Sequence, residues 1–187
     1  MHSRFPLFFV ALLRVAFLWC LCVICGGVDA QHITHLHPEG YNVQKEITCI
    51  DSVWYFHKEE GNFPLTDTKG WDSLRNTSAI QFDSPRGWNG IGWFGMWVKA
   101  DTSLIGKKMS FRINHDGASE IFVDGRQVGG YGKLGSSKEQ MEAVRAPRDL
   151  IPMWFTDTAP HLIVIHYSNF FDLYPAFRGF QVWIGDY

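Results

Sequence analysis

Apolar and polar positions alternate with period two over much of this chain from Ile47 onward. Ile91 to Lys99 sets Trp93, Gly95 and Trp97 against Phe94, Met96 and Val98, and successive strand residues face opposite sides of a sheet. Both faces are apolar, which predicts a central strand. Met109 to Asn114 alternates Met109, Phe111 and Ile113 with Ser110, Arg112 and Asn114, a strand with one buried face. Gly117 to Gly132 then spells strand, turn and second short strand, and Asp124-Gly125 suits a type I′ turn, whose central residues both take positive φ. His161 to Tyr167 is a dense apolar strand, and Gly179 to Gly185 alternates Phe180, Val182 and Ile184 with Gln181 and Trp183. Ile47 to His57 also has strand composition and is stopped by Gly61-Asn62-Phe63-Pro64.

Between these runs the pattern loosens. Up to Gly90 the chain is punctuated by Pro85, Gly87 and Gly90, with Trp71 and Trp88 expected as plugs at the edge of the core. Ser136 to Ala146 predicts a short surface helix, capped by Ser and stopped by Pro147. There is no internal repeat and no linker. The expectation is one all-β domain over residues 47–187, an antiparallel jelly-roll β-sandwich with at most short surface helices, preceded by an extended polar leader over 31–46.

Residues 1–30 read as a secretory signal. Arg4 and Arg14 precede an apolar run from Val15 to Cys25, and Val28-Asp29-Ala30 supplies small residues for cleavage before Gln31. The competing reading is a retained anchor from Phe5 to Cys25, but Arg14 would sit in its middle, where a charge is costly. Ile24 before Cys25 disfavours lipidation. The protein is therefore expected to be exported, periplasmic or extracellular, and membrane-tethered only if the signal is kept. Cleavage would remove Cys20, Cys22 and Cys25 and leave Cys49 alone, expected as a small buried apolar residue. A net charge of −2 with no basic stripe argues against a nucleic-acid partner.

The order of the segments resembles a known superfamily. Trp54-Tyr55-Phe56-His57, then Gly61 and Asp67 before Trp71, then Gly92-Trp93-Phe94, Leu104-Ile105-Gly106-Lys107, Glu120-Ile121-Phe122-Val123-Asp124-Gly125 and His161-Leu162-Ile163-Val164-Ile165 are similar to the galactose-binding-like jelly-roll superfamily. More narrowly, the chain resembles the sugar-binding domains of family 2 glycoside hydrolases and the extracytoplasmic domains of bacterial membrane-bound sensor kinases, cyclases and phosphatases. Two positions depart from that pattern: Gly95 stands where an Arg is usual, and Asp124 stands where Asn usually opens the hairpin turn. The first departure puts a ligand contact from that position in doubt, while the second is conservative, because Asp also tolerates the left-handed region.

Several chemical motifs carry little weight. Gly130-Tyr131-Gly132-Lys133-Leu134-Gly135 matches a dinucleotide pattern but trails an antiparallel hairpin, whereas a pyrophosphate site needs a parallel βαβ unit. His32, His35 and His37 are imidazoles of the kind that suit transition metals, but on an unstructured leader they define no geometry, so no metal site is assigned. His166 is expected as a hydrogen-bonded sheet residue. Asp116, Glu120 and Asp124 cluster along the hairpin, yet a glycosidase requires two carboxyls facing across a cleft, and in the resembled hydrolases the catalytic acids lie on a separate barrel. Asn76-Thr77-Ser78 is a glycosylation sequon with meaning only in a eukaryotic secretory pathway.

Aromatics are the stronger lead, since flat rings stack on sugar C–H faces while neighbouring polar groups bind hydroxyls. Trp54, Trp93 and Trp97 are assigned to the core. The candidate ligand-binding residues lie between strands: Trp88, Asn89, Trp154, Asn169, Phe171, Tyr174 and Arg178. The expected function is a non-catalytic binding module for a carbohydrate or similar small polar ligand, serving as the sensory or accessory part of a signalling or glycan-processing system, with a membrane-bound signalling protein or a hydrolase as partner. It calls for no cofactor and leaves calcium dependence open. The alternatives are the front domain of a family 2-like hydrolase without its barrel, and a ligand-free packing or dimerisation module.

Overall fold

A computed structural model describes residues 31–42, 44–49, 52–58, 65–75, 77, 88–145, 147–170 and 179–187. Its strands are β1 (Ile33–Leu36), β2 (Glu46–Thr48), β3 (Trp54–Lys58), β4 (Asp72–Leu74), β5 (Ile91–Ala100), β6 (Met109–Val123), β7 (Arg126–Tyr131), β8 (Val144–Arg145), β9 (Ile151–Met153), β10 (His161–Ser168) and β11 (Phe180–Asp186). They pair in the order β2-β11-β6-β10-β5-β3-β4, with β1 on β5 and with β7, β8 and β9 on β6. All pairs are antiparallel except β1 with β5.

The long strand β6 explains how one ladder becomes a sandwich. Its first half pairs with β11 and β9, and its second half with β10 and β7. Curling along β6 brings the two walls face to face. Met109, Phe111, Ile113, Val182 and Ile184 from one wall pack into a core with Phe94, Met96, Val98, Ile163 and Ile165 from the other. Trp54, Phe56, Tyr167 and Phe180 fill the middle, with Trp54 and Phe180 meeting edge to face at 5.2 Å. The expected alternation in Met109–Asn114 is present, but that strand and the hairpin arm are one continuous element.

The hairpin turn has the expected geometry, with φ of 49° at Asp124 and 78° at Gly125. As expected, β5 is central, flanked by β10 on one side and by β3 and β1 on the other. Cys49 is buried, as expected, and lies in the core.

Five expectations need correction. The Ile47–His57 run is two strands, β2 on β11 in one wall and β3 on β5 in the other, so the chain changes walls inside a segment of uniform composition. Ser136–Ala146 forms no helix among its described residues. A single turn, with Met141 N–H donating to the Ser137 carbonyl at 3.1 Å, gives way to a Lys133–Glu142 bridge and to β8 pairing with Asp116 and Gly117. The segment has no apolar stripe to hold a helix, while the edge of β6 offers backbone partners.

Trp93 and Trp97 lie on the outer face and are partly exposed, while Phe94, Met96 and Val98 supply the core. Trp71 packs over that outer face rather than at the core edge: a Cβ on Gly95 would lie 3.2 Å from its ring and 3.0 Å from Thr68 Cγ2. Thr68 also accepts the Trp97 indole N–H at 2.9 Å. The space that an Arg at position 95 would use is thus filled by the segment around Thr68 and Trp71. Finally, Ile33–Leu36, read as leader, is a sheet strand in register with Trp97 to Ala100.

Candidate functional site

The candidate binding residues fall at two ends of the sandwich. Trp88 and Asn89 precede β5, and Asn169 follows β10. These loops meet where Asn169 N–H donates to the Gly90 carbonyl at 2.8 Å. Gly90 has φ of +105°, and a Cβ there would strike the Phe170 ring. Trp88 lies nearly parallel to Tyr167 at 6.1 Å and edge-on to Phe94 at 5.5 Å, packed against the core. Asn169 is buried, and its amide donates to Tyr167 Oη at 3.0 Å, which donates to the Gly179 carbonyl. At this end Asn89 is exposed, while Trp88 and Asn169 are engaged in packing and internal hydrogen bonds. Phe171, Tyr174 and Arg178 lie outside the described residues.

Trp154 lies at the other end. It follows Met153, the register partner of Met109, whereas Gly90 and Asn169 flank the level of Ala118. Nine residues of β6 separate those levels, about 30 Å of strand at about 3.3 Å per residue. Met109 also pairs with Asp186. Tyr187, Lys108 and Trp154 are the next residues beyond these ends of β11, β6 and β9, at the level that follows the Met109 pairings. Lys108 Nζ lies over the Tyr187 ring, 3.3 Å from its centroid, a cation–π contact worth about 0.5–1 kcal/mol at an exposed site. Trp154 is 51% and Tyr187 56% exposed, the most open of the large apolar side chains among the described residues.

This row has a defined surround. Asp186 accepts from the Tyr41 hydroxyl at 3.0 Å and lies 3.9 Å from Lys45 Nζ. Burial, reinforced by that hydrogen bond and the Asp186 charge, pushes the Tyr41 hydroxyl up to about 12. On the same outer face Glu46 reaches Arg112 through two hydrogen bonds, 2.8 and 2.5 Å, and the Arg112 guanidinium stacks over Trp183 at 4.0 Å. Lys108 and Tyr187 were not among the sequence candidates. Only cross-strand register, which local pattern does not reveal, assembles them with Trp154.

Other reactive groups are committed to structure. His115 Nδ1 accepts from Gly117 N–H at 3.1 Å, so its proton is on Nε2, which donates to Ser119 Oγ at 2.9 Å. That tautomer cannot take a proton from the hydroxyl, and burial lowers the ring to about 4. Cys49 is inert as a thiolate, because burial pushes its thiol up to about 12. Asp116, Glu120 and Asp124 are spaced four residues apart on β6 and its turn, about 13 Å of strand per interval, wider than a glycosidase pair. His166 is stacked on Trp93 at 3.8 Å and lies 3.6 Å from Glu120. His35 and His37 line an open cavity of about 280 Å³ with Lys99 and Asp101. Among the described residues no three His, Cys, Asp or Glu side chains are grouped to hold a metal ion.

No family model and no curated protein matches the chain. Solved structures do match it in fold. A family 2 glycosyl hydrolase from Bacteroides cellulosilyticus aligns over 75% of this chain and 20% of its own, at 15% identity and a TM-score of 0.51. The β-glucuronidase of Ruminococcus gnavus, solved with D-glucuronic acid, aligns over 80% of this chain and 30% of its own, at 13% identity and 0.51. That of Faecalibacterium prausnitzii aligns over 81% and 33%, at 10% identity and 0.52. The chain thus has the sandwich fold found within family 2 hydrolases, and spans a fifth to a third of their length. At these identities the likeness is one of fold.

Proposed function

We propose that this chain is an exported, non-catalytic binding module for carbohydrate, the sensory or accessory part of a signalling or glycan-processing system, with Trp154, Lys108 and Tyr187 as its ligand platform. The observation that carries the reading is the pair of open aromatic rings, Trp154 and Tyr187, with the Lys108 ammonium over the second. Rings that directly follow β9 and β11 stand about two strand spacings apart, about 10 Å, so they would stack on separate sugar units of one chain while Lys108 donates to oxygen atoms between them. The fold shared with domains of glycan-cleaving enzymes supports the same reading.

The short span relative to those enzymes favours one second reading, the front domain of a family 2-like hydrolase whose catalytic barrel is elsewhere. Calorimetric titration of the purified protein with a panel of neutral and acidic oligosaccharides tests the first reading. Binding lost in Trp154→Ala and in Tyr187→Ala supports the platform. Binding that survives both substitutions but is lost in Asn89→Ala moves the site to the opposite end. A panel with no binding rejects the carbohydrate reading.

A further inference from the structure

The charges around the aromatic row say which class of glycan it takes. Lys108 lies over the Tyr187 ring and follows β6 where Trp154 follows β9, Lys107 is exposed beside it, and Lys45 lies on the far side of β11. The nearby carboxylates are already engaged, Glu46 by the two-fold contact with Arg112 and Asp186 by Tyr41 and Lys45. Among the side chains of this corner the cations Lys45, Lys107, Lys108 and Arg112 outnumber the anions Glu46 and Asp186 by four to two. Among the described residues neither Lys107 nor Lys108 has an ion pair, and Lys108 meets the Tyr187 ring.

From this arrangement we infer that the ligand is an acidic glycan, a chain of sugars bearing carboxylates, and not a neutral one. The inference rests on the carbohydrate reading above. A carboxylate held between two stacked sugar rings meets Lys108 Nζ, which needs only to leave the Tyr187 face. The Tyr187 and Trp154 faces then receive the C–H surfaces of the flanking units. A neutral glycan would use the same rings and leave the positive corner without a partner. Complementary charge of this kind acts on choice of partner and on encounter more than on total affinity.

The test compares oligogalacturonate with its fully methyl-esterified form, which keeps the backbone and stereochemistry and removes the charge. Calorimetric titration is run at low and at high salt. The expected result is about fivefold tighter binding of the acid at low salt, the scale of one exposed ion pair. That preference should shrink toward unity at high salt, where exposed charges are screened. Lys108→Gln, an exposed substitution whose melting temperature serves as the folding control, should abolish the preference, weakening the acid by more than the ester. Equal binding of acid and ester, or a preference that survives Lys108→Gln, overturns the inference and leaves the carbohydrate reading standing. If the ester or another neutral glycan binds and the acid does not, the inference again fails alone. If no glycan of either class binds, both fail together.

Discussion

Asp124, at the tip of the β6–β7 hairpin, holds His161 with one carboxylate oxygen and the next backbone N–H with the other. Its Oδ2 is 2.7 Å from His161 Nδ1, and its Oδ1 accepts from Leu162 N–H at 2.9 Å. The other ring nitrogen of His161 faces the Asp157 carbonyl oxygen at 3.1 Å. Acceptors at both nitrogens suit the imidazolium, the form that donates twice.

This contact makes stability depend on pH. Burial by itself lowers the His161 pKa, but the Asp124 hydrogen bond, the Asp157 carbonyl and the charges of both carboxylates prevail, and the net shift is upward from 6.5. The folded state therefore holds the proton more tightly than the unfolded one. The contribution is fully present below about pH 6.5 and is lost as pH rises through the raised folded value. Asp124→Asn keeps the turn geometry and the Leu162 contact but removes the charge. Melting curves across neutral pH should show a falling melting temperature in the native protein and a flatter profile in the variant. Identical slopes would remove His161 as the cause.

His115 acts with the opposite sign. Burial lowers it to about 4, so the unfolded chain takes up its proton first on acidification. Its contribution is intact above about 6.5 and declines as pH falls toward about 4, a loss of about 3 kcal/mol. His115→Gln removes the titration, and its acid-side stability curve should be shallower than that of the native protein. Denaturant unfolding at a series of acid pH values measures the difference.

Trp88 and Trp154 should separate stability from binding. Trp88 touches Phe56, Phe94 and Tyr167, and Trp88→Ala is expected to cost about 3 kcal/mol by opening the end of the core. Trp154→Ala should change stability by less than about 0.5 kcal/mol and abolish sugar binding. A Trp154→Ala protein that unfolds early would assign that ring to packing instead.

Gly185 is required by the close approach of the Lys45 and Glu46 backbone and of the Glu46 side chain. A Cβ there would lie 2.4 Å from the Lys45 carbonyl oxygen and 2.9 Å from both Cα and Cγ of Glu46, on the path by which Glu46 reaches Arg112. Gly185→Ala should cost about 1–3 kcal/mol and weaken that ion pair. The costs of Gly185→Ala and Glu46→Ala should then fall short of additivity when combined, as a double-mutant cycle reports. Strict additivity would show that the glycine serves only the backbone contact.

Much of the fold was legible because it rests on local periodicity. The two-faced run around Trp93 announced a central strand, Asp124-Gly125 announced the turn, and the half-apolar run from Met109 announced a strand with one buried side. The period does not say which face is the core: Trp93 and Trp97 are larger than Phe94 and Met96, yet they lie outside, where Thr68 meets Trp97 and His166 stacks on Trp93. Nor does composition show where a chain changes walls, since the run from Ile47 to His57 has strand composition at both ends.

The sequence by itself determined an all-β chain, the hairpin, the burial of Cys49 and a supply of aromatic rings. Tertiary structure alone decided that the polar stretch at Ser136 pairs with β6 instead of coiling, that Ile33–Leu36 joins the sheet, and that Trp154 stands beside Lys108 and Tyr187 at the opposite end from Trp88. The physical reason is that strand character is a property of neighbouring residues, whereas register and side are settled by backbone partners far away in the chain. Lys108 and Trp154 become neighbours only because Met109 pairs with Met153.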